Sequence, residues 1–124
     1  MSFVPATVDL TGTNQILQGT DWVRDFAVTS GGSPVDLSGY DNVVPRAQFR
    51  STVSSGTVVM TATMSWISSV GGTLRMTIPA AVTTALANTT QTGVYDVEIV
   101  KDSDGSIERI IKGSWSLDPE VTRT

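Results

Sequence analysis

Hydrophobic and polar residues alternate most regularly near the C-terminal end of the chain, in two arms joined by a short polar segment. In the first arm, residues 94–100, the side chains divide between two faces: Tyr95, Val97 and Ile99 on one, Asp96 and Glu98 on the other. In the second arm, residues 107–117, one face holds Ile107, Ile111, Gly113, Trp115 and Leu117, and Ile110 is out of phase. A period of two is typical of β-strands, and Asp104-Gly105 between the arms favours a tight reversal. We therefore predict one long hairpin over residues 92–117.

Shorter segments with the same alternation follow one another through the rest of the chain. In four such segments the following residues share one face: Trp22, Arg24, Phe26 and Val28; Ala47 and Phe49; Val58, Met60, Ala62, Met64 and Trp66; and Leu74, Met76 and Ile78. Neither face of the first segment is purely apolar. The first set is expected to point inward, and residues 57–66 predict one long strand. Gly31-Gly32 and Gly71-Gly72 lie between these segments and are typical of turns.

One segment has helical spacing instead. Pro79 suits the first turn of a helix, and Ala80, Val82, Leu86 and Ala87 recur at helix-like intervals. We expect a helix of about two turns over residues 79–87 that crosses between two strands. Together with about seven short strands, this pattern predicts an all-β domain, a small antiparallel β-sandwich, with a β-barrel as the alternative.

Composition agrees with one β-rich domain and excludes several classes of function. The chain has 124 residues, enough for one core, of which 40% are hydrophobic and 16% charged. Its net charge is −4 and its 8 basic residues are scattered singly, so we expect no nucleic-acid partner. Without cysteine there are no disulfides, and the fold is expected to hold by packing. Neither a secretion signal nor a membrane span is visible, so we expect a soluble protein made in the cytosol, with no membrane partner.

Candidate catalytic and metal-binding residues are few, because the sequence also lacks histidine. Asp96 and Glu98 lie two apart on one strand face, where a solvated face is a simpler interpretation than an acid/base pair. Asp102 and Asp104 resemble the start of a calcium loop, but the twelfth position, which needs a bidentate glutamate, is Gly113. We expect a plain hairpin turn there, no catalytic residues, no metal and no cofactor.

The three tryptophans raise the alternative of a carbohydrate-binding module, in which aromatic rings form a sugar-stacking platform. Trp22 and Trp115 lie on the inward faces of their predicted strands, so core packing is the simpler interpretation for both. Trp66 borders a turn-rich segment, and its exposure is left open. The basic strand face of residues 46–50 is interpreted as a solvated edge rather than a ligand site.

Several segments, taken in order, carry a resemblance to a known family: GTDW at residues 19–22, PVDLSGY at 34–40, RAQFR at 46–50, GVYDVEI at 93–99, SDG at 103–105 and KGSWSLDPEVTR at 112–123. In this order they resemble small structural proteins of tailed bacteriophages, similar to the immunoglobulin-like N-terminal domain of baseplate upper proteins and tail fibre adaptors. The resemblance covers residues 20–123, most of the chain.

The resemblance implies a non-enzymatic immunoglobulin-like β-sandwich of the virion, made in the host bacterial cytoplasm and oligomeric in the particle. Its expected position is near the tail or baseplate, where it connects fibres or neighbouring subunits. The chain stops right after the matched region, with no fibre-forming part. Capsid decoration on the phage head, with the major capsid protein as partner, is therefore the alternative role.

On these grounds the chain divides into an N-terminal arm or edge strand (1–19), a β-sandwich domain (20–117) and a C-terminal tail (118–124). Two interpretations of the first segment stay open: it orders against a neighbouring subunit, or it supplies the first strand of its own sheet. Candidate subunit-interface residues lie in the two terminal segments: Phe3, Val4, Leu10, Ile16, Leu17, Val121 and Arg123.

Overall fold

The structure is a computed structural model that describes residues 5–52, 58–86 and 91–119. Its strands, in chain order, are β1 (Ala6–Thr7), β2 (Ile16–Leu17), β3 (Trp22–Ala27), β4 (Thr29–Ser30), β5 (Ser33–Pro34), β6 (Arg46–Arg50), β7 (Val58–Ser68), β8 (Thr73–Ile78), β9 (Gln91–Val100) and β10 (Ile107–Asp118). Strands dominate these residues, so the all-β prediction is confirmed.

Eight of these strands form one sheet, in the order β1-β10-β9-β6-β7-β8-β3 with β2 also paired to β10, while β4 and β5 form a separate hairpin. The long strands pair antiparallel with one another, but β1 and β2 lie parallel to β10. The sheet is therefore mixed, and the prediction of an antiparallel arrangement throughout is wrong. The N-terminal segment reaches β10 from the far end of the chain, so no tight turn between the two forces an antiparallel pair.

The predicted hairpin of residues 92–117 is present as β9 and β10, with a bulge in its second arm. The register shifts between Arg109 and Ile111, which makes Ile110 the additional residue. As a result Ile110 and Ile111 are both buried, although they are neighbours in the chain. The bulge moves the alternation by one position, so Ile107, which the pattern placed on the inner face, is 54% exposed. The predicted placement of Ile107 is wrong because a period of two does not continue across a bulge.

β7 takes part in two different pairings along its length. Its first half pairs with β6, where Ala62 lies opposite Ala47, and its second half pairs with β8, where Trp66 lies opposite Leu74. The long strand predicted over residues 57–66 is present as β7 from Val58 onward, while residue 57 lies outside the described residues. β7 joins the β6 side of the sheet to the β8 side.

The largest side chains of the core meet at Trp115. Its ring lies edge-on to Phe49, with 5.9 Å between ring centroids, and Phe49 stacks on Tyr95 at 5.1 Å. The Trp115 Nε1–H donates to the Arg50 carbonyl oxygen at 3.1 Å, so the buried indole has a hydrogen-bond partner. A Cβ on Gly93 would collide with that same carbonyl oxygen, which explains the glycine near the start of β9.

The N-terminal segment, residues 5–18, lines the edge of the sheet along β10. Leu10 and Ile16 are fully buried in the core. The backbone amides of Val8 and Leu10 donate to carbonyl oxygens of β10 at 2.9 and 2.8 Å. The close approach depends on Gly113, because a Cβ at that position would collide with the Val8 carbonyl oxygen. In the described residues, this segment supplies an edge strand of the chain's own sheet, which is the second of the two interpretations.

The predicted helix is present as α1 (Ala80–Thr84), with Pro79 at its N-cap position. It is shorter than expected, and the predicted last residue, Ala87, lies outside the described residues. The Ala80 amide donates to the Asp21 carboxylate at 2.8 Å, which satisfies one of the free N–H groups of the first turn. No helix within the described ranges is long and apolar enough to cross a membrane.

Gln18 fastens the N-terminal segment to this helix. Its side chain is 4% exposed, and its Nε2 donates to the carbonyl oxygens of Thr83 and Leu86, each at 3.1 Å. Thr83 lies in the last turn of α1, and Leu86 lies just past the helix end. The Thr83 carbonyl oxygen also accepts from the Leu86 amide at 3.0 Å, so Gln18 supplements the backbone hydrogen bonding of this end. The polar side chain is buried because it completes the helix end.

Candidate binding surfaces

The three tryptophans are separately packed and do not form a common platform. Trp115 lies in the core, and half-buried Trp22 donates its Nε1–H to the Gln15 carbonyl oxygen at 3.1 Å. Trp66 is also half-buried and donates to the Val43 carbonyl oxygen at 3.4 Å. Both half-buried rings pack against the core, which confirms the interpretation of Trp22 and Trp115 and extends it to Trp66.

Residues 101–106 form the predicted hairpin turn between β9 and β10. Gly105 has φ +73°, the left-handed conformation that favours glycine. The Asp104 carboxylate accepts hydrogen bonds from the backbone and hydroxyl of Ser106 at 2.9 and 2.7 Å. The Asp102 carboxylate accepts from a backbone amide of the loop before β6 at 3.1 Å. Among the described residues, no three metal-ligating side chains lie together in a group that could hold a metal ion.

The seven candidate interface residues fall into three groups. Phe3, Val4, Val121 and Arg123 lie outside the described residues. Leu10 and Ile16 are fully buried in the chain's own core, so they present no surface to another subunit in this fold. Leu17 is 43% exposed. An interface at Leu17 stays a prediction.

An open groove of about 530 Å³ lies over the outer face of β6, β9 and β10, with β1 at its rim. We call it the basic groove. Its charged side chains are Arg46 and Arg50 on β6, Asp96 and Glu98 on β9, and Arg109 and Lys112 on β10. The strand register places the two acids on the central strand and the four cations on the strands that flank it. The two acidic side chains therefore lie along the middle of the groove, and the four basic side chains lie along its two sides.

Two of the four cations form ion pairs with the acids of the central strand. Arg46 Nη2 lies 3.3 Å from Glu98 Oε1, and Arg109 Nη1 lies 4.0 Å from Asp96 Oδ2. All four side chains are between one-third and about half exposed, and pairs of this kind contribute at most about 1 kcal/mol to stability. The six charged side chains together give the groove a formal charge of +2, whereas the whole chain has a net charge of −4. The alternation in the sequence predicted the basic face of residues 46–50 and the acidic face of Asp96 and Glu98 separately. The two faces lie next to each other because β6 pairs with β9.

Three loops meet at the end of the molecule that carries the hairpin turn, and we call this region the loop end. It consists of residues 36–45, 67–72 and 101–106. The Leu37 amide donates to the Ser69 carbonyl oxygen at 2.7 Å, and the Asp102 amide donates to the Gly39 carbonyl oxygen at 2.9 Å. These backbone hydrogen bonds join the first loop to each of the other two.

The loop end exposes large apolar side chains among carboxylates. The apolar residues are Val43 (43% exposed), Val44 (59%), Ile67 (50%) and Val70 (65%). The carboxylates are Asp36, Asp41, Asp102 and Asp104, all on exposed residues. Hydrogen bonds from the backbone amides of Ser38 and Ser106 hold the pKa values of Asp36 and Asp104 below their usual range. Both carboxylates are therefore ionised at neutral pH.

Sequence reasoning missed the loop end because its apolar residues belong to no periodic pattern. Val43 and Val44 are consecutive and stand outside any strand. Ile67 is the additional residue of a bulge in β7, and Val70 lies in a turn. The available signal was the presence of large apolar residues in segments whose glycines and serines predict turns.

Comparisons with models of known protein families and with curated proteins find no match for this chain. The resemblance to a family of phage structural proteins therefore rests on the sequence segments described above, and it enters the next subsection as a proposal.

Proposed function

We propose that this protein is a non-enzymatic structural protein of a tailed-bacteriophage virion, an adaptor near the tail or baseplate that connects fibres or neighbouring subunits. The observation that carries the proposal is the loop end, where four large apolar side chains are exposed together. Clusters of this kind on a small domain mark surfaces that other proteins cover. The loops are hydrogen-bonded to one another, so little ordering is needed when a partner binds.

The fold we propose for this role is an immunoglobulin-like sandwich. β10, β9 and β6 form one group of strands and β7, β8 and β3 the other, and this division corresponds to the C-F-G and B-E-D groups of that fold. Two observations support it. Phe26 of the second group lies in the same buried cluster as Phe49 and Trp115 of the first. Trp22 on β3 also contacts Gln15, next to the strand that pairs with β10, so the two ends of the sheet lie near each other.

A reconstruction of the intact particle by cryo-electron microscopy tests the location. We expect density for this domain as a ring or at fibre junctions on the tail, with a copy number set by the tail symmetry. Density spread over the head lattice would replace the adaptor role with capsid decoration, the alternative role. A particle that contains no copy of the protein contradicts both.

The contribution of the loop end is tested by incorporation of variants into particles. We expect Val43→Ser with Val70→Ser to reduce the amount of protein per particle, because the apolar contact with the partner is lost. Val23→Ser is the matched control, since Val23 is 51% exposed on β3, outside the loop end. Both variants should unfold at the wild-type temperature, as exposed substitutions usually do. Equal incorporation of the two variants would remove the loop end from the proposal.

A further inference from the structure

The two surfaces described above carry opposite charge. The basic groove has four cationic and two anionic side chains, a formal charge of +2. The loop end has four aspartates and one lysine, Lys101, a formal charge of −3. The chain as a whole carries −4, so the groove is a positive surface on an otherwise acidic molecule. Complementary surfaces of this kind accelerate encounter and determine which surfaces meet.

The loop end and the basic groove are adjacent regions of one chain. Arg46 of the groove directly follows the loop of residues 36–45, and β9 runs from Glu98 in the groove to the turn of residues 101–106. β9 and β10 are paired along almost their whole length, so the turn extends beyond the end of the strands that line the groove. A second copy can therefore present its loop end to this groove.

We propose that the loop end of one copy docks on the basic groove of a second copy, in a head-to-tail arrangement. The alternative symmetric contact, loop end against loop end, brings four aspartates of each copy together and is opposed by charge repulsion. A head-to-tail contact instead sets Asp104 and its neighbours against Arg50 and Lys112. The groove volume of about 530 Å³ lies within the roughly 300–1,000 Å³ of typical ligand pockets. It is therefore large enough for the side chains of a turn.

The proposed contact has a consequence for assembly. A head-to-tail interface uses two different patches, so every copy in a chain of contacts keeps one loop end and one groove for the next neighbour. The result is a closed ring if the rotation between copies closes, and an open filament if it does not. The inference rests on the proposed role as an assembly subunit, but its test uses the purified chain without the particle, so either proposal can fail alone.

Sedimentation velocity of the purified full-length chain over a range of concentrations tests the contact. We expect the wild type to form larger species as its concentration rises at low salt, about 20 mM, and to associate less at about 500 mM, because salt screens the charges. A groove variant, Arg50→Gln with Lys112→Gln, and a loop variant, Asp41→Asn with Asp102→Asn and Asp104→Asn, should each weaken self-association by about tenfold or more. Asparagine keeps the carboxylates' hydrogen-bond acceptor, so the loops stay folded.

The decisive experiment is to mix these two variants. The groove variant keeps its loop end and the loop variant keeps its groove, so together they should form a 1:1 dimer and nothing larger. A control variant, Asp25→Asn with Arg75→Gln, removes an exposed ion pair outside both surfaces and should associate like the wild type.

Three results would overturn the inference. The first is a wild type that stays monomeric up to about 1 mM at low salt. The second is a groove or loop variant that associates as strongly as the wild type. The third is a mixture of the two variants that contains no dimer, which would indicate a symmetric contact instead. Circular dichroism of each variant establishes that it is folded before it is compared.

Discussion

The β9–β10 hairpin and the N-terminal segment lie side by side in the sheet, yet they are held in different ways. The two arms of the hairpin are joined by the turn of residues 101–106, so each pairs with a close neighbour in the chain. The N-terminal segment is joined to the hairpin by partners far away in the chain. Tyr95 donates to the Val8 carbonyl oxygen across 87 positions, and Ser114 donates to the Asp9 carboxylate across 105.

This difference separates local from long-range determinants of the fold. Alternation and turn residues are sufficient to specify a hairpin, because both act over a few positions. An edge strand from the far end of the chain needs features of its partner instead: a glycine that makes room, a buried side chain that anchors it and acceptors for its polar groups. Substitutions that remove these features one at a time should release the N-terminal segment while the hairpin stays paired.

The largest effect is expected from Leu10→Ala. Leu10 is fully buried, and its truncation leaves a cavity between the N-terminal segment and β10, which costs about 2–5 kcal/mol in the free energy of unfolding. The matched control is Leu17→Ala, since Leu17 is 43% exposed and its truncation should cost about 0.5 kcal/mol or less. Urea unfolding followed by tryptophan fluorescence measures both. Equal costs would mean that the segment is not part of the core.

Gly113→Ala attacks the same contact from the hairpin side. The new Cβ meets the Val8 carbonyl oxygen, so either the segment moves away or the strand bends, at a cost of about 1–3 kcal/mol. The control is Gly39→Ala, where a Cβ meets nothing within 4 Å. Hydrogen exchange should be faster at the amides of Val8 and Leu10 in the Gly113 variant. Unchanged protection of these two amides would contradict the account.

Gln18→Ala removes the tie between the N-terminal segment and α1. The Leu86 and Thr83 carbonyl oxygens each lose the hydrogen bond from Gln18, although Thr83 keeps that from the Leu86 amide. We expect the free energy of unfolding, measured by thermal denaturation, to fall by about 1–2 kcal/mol. Gln48→Ala, at an exposed position of the basic groove, is the control and should cost about 0.5 kcal/mol or less. A Gln18 variant as stable as this control would show that solvent replaces the lost donor.

The smallest effect is expected from Tyr95→Phe, which removes one hydrogen bond to Val8 and should cost about 0.5–1.5 kcal/mol at neutral pH. The variant also tests a pH dependence. Burial raises the pKa of the Tyr95 phenol, so the group stays protonated in the folded chain while the unfolded chain ionises near its usual pKa of about 10. Stability from this group is therefore present below about pH 10 and lost as the pH rises further. Urea unfolding at about pH 8 and about pH 11 should show a shallower decline for the phenylalanine variant.

Much of the fold could be predicted from the sequence, because alternation reports which face of a strand is buried. The inward faces at Phe26, Phe49 and Met76 followed from it directly. The parallel pairing of β1 could not be predicted, since nothing near Ala6 identifies a partner in β10. Ile110 was visible only as an irregularity in the pattern, and its meaning as a bulge depends on the opposite strand.

The candidate surfaces were less accessible to sequence reasoning than the core. Arg46 and Glu98 were each placed on an outer face, but their meeting across 52 positions is a result of strand order. The loop end combines residues from three loops, and the contacts that join them, such as that of Ser69 with Asp41, involve no periodic signal. Surfaces assembled from loops require the tertiary structure.

The parallel edge also has a mechanical consequence. When the two ends of the described chain, at Pro5 and Pro119, are pulled apart, β1 and β10 are drawn in opposite directions along a common axis. The hydrogen bonds between β10 and the segment around Val8 and Leu10 are then loaded in shear and must break together. An antiparallel pair opened from its free end loses its bonds one at a time, like a zip. Resistance to tension along this domain therefore resides in its first strand, although that strand is only two residues long.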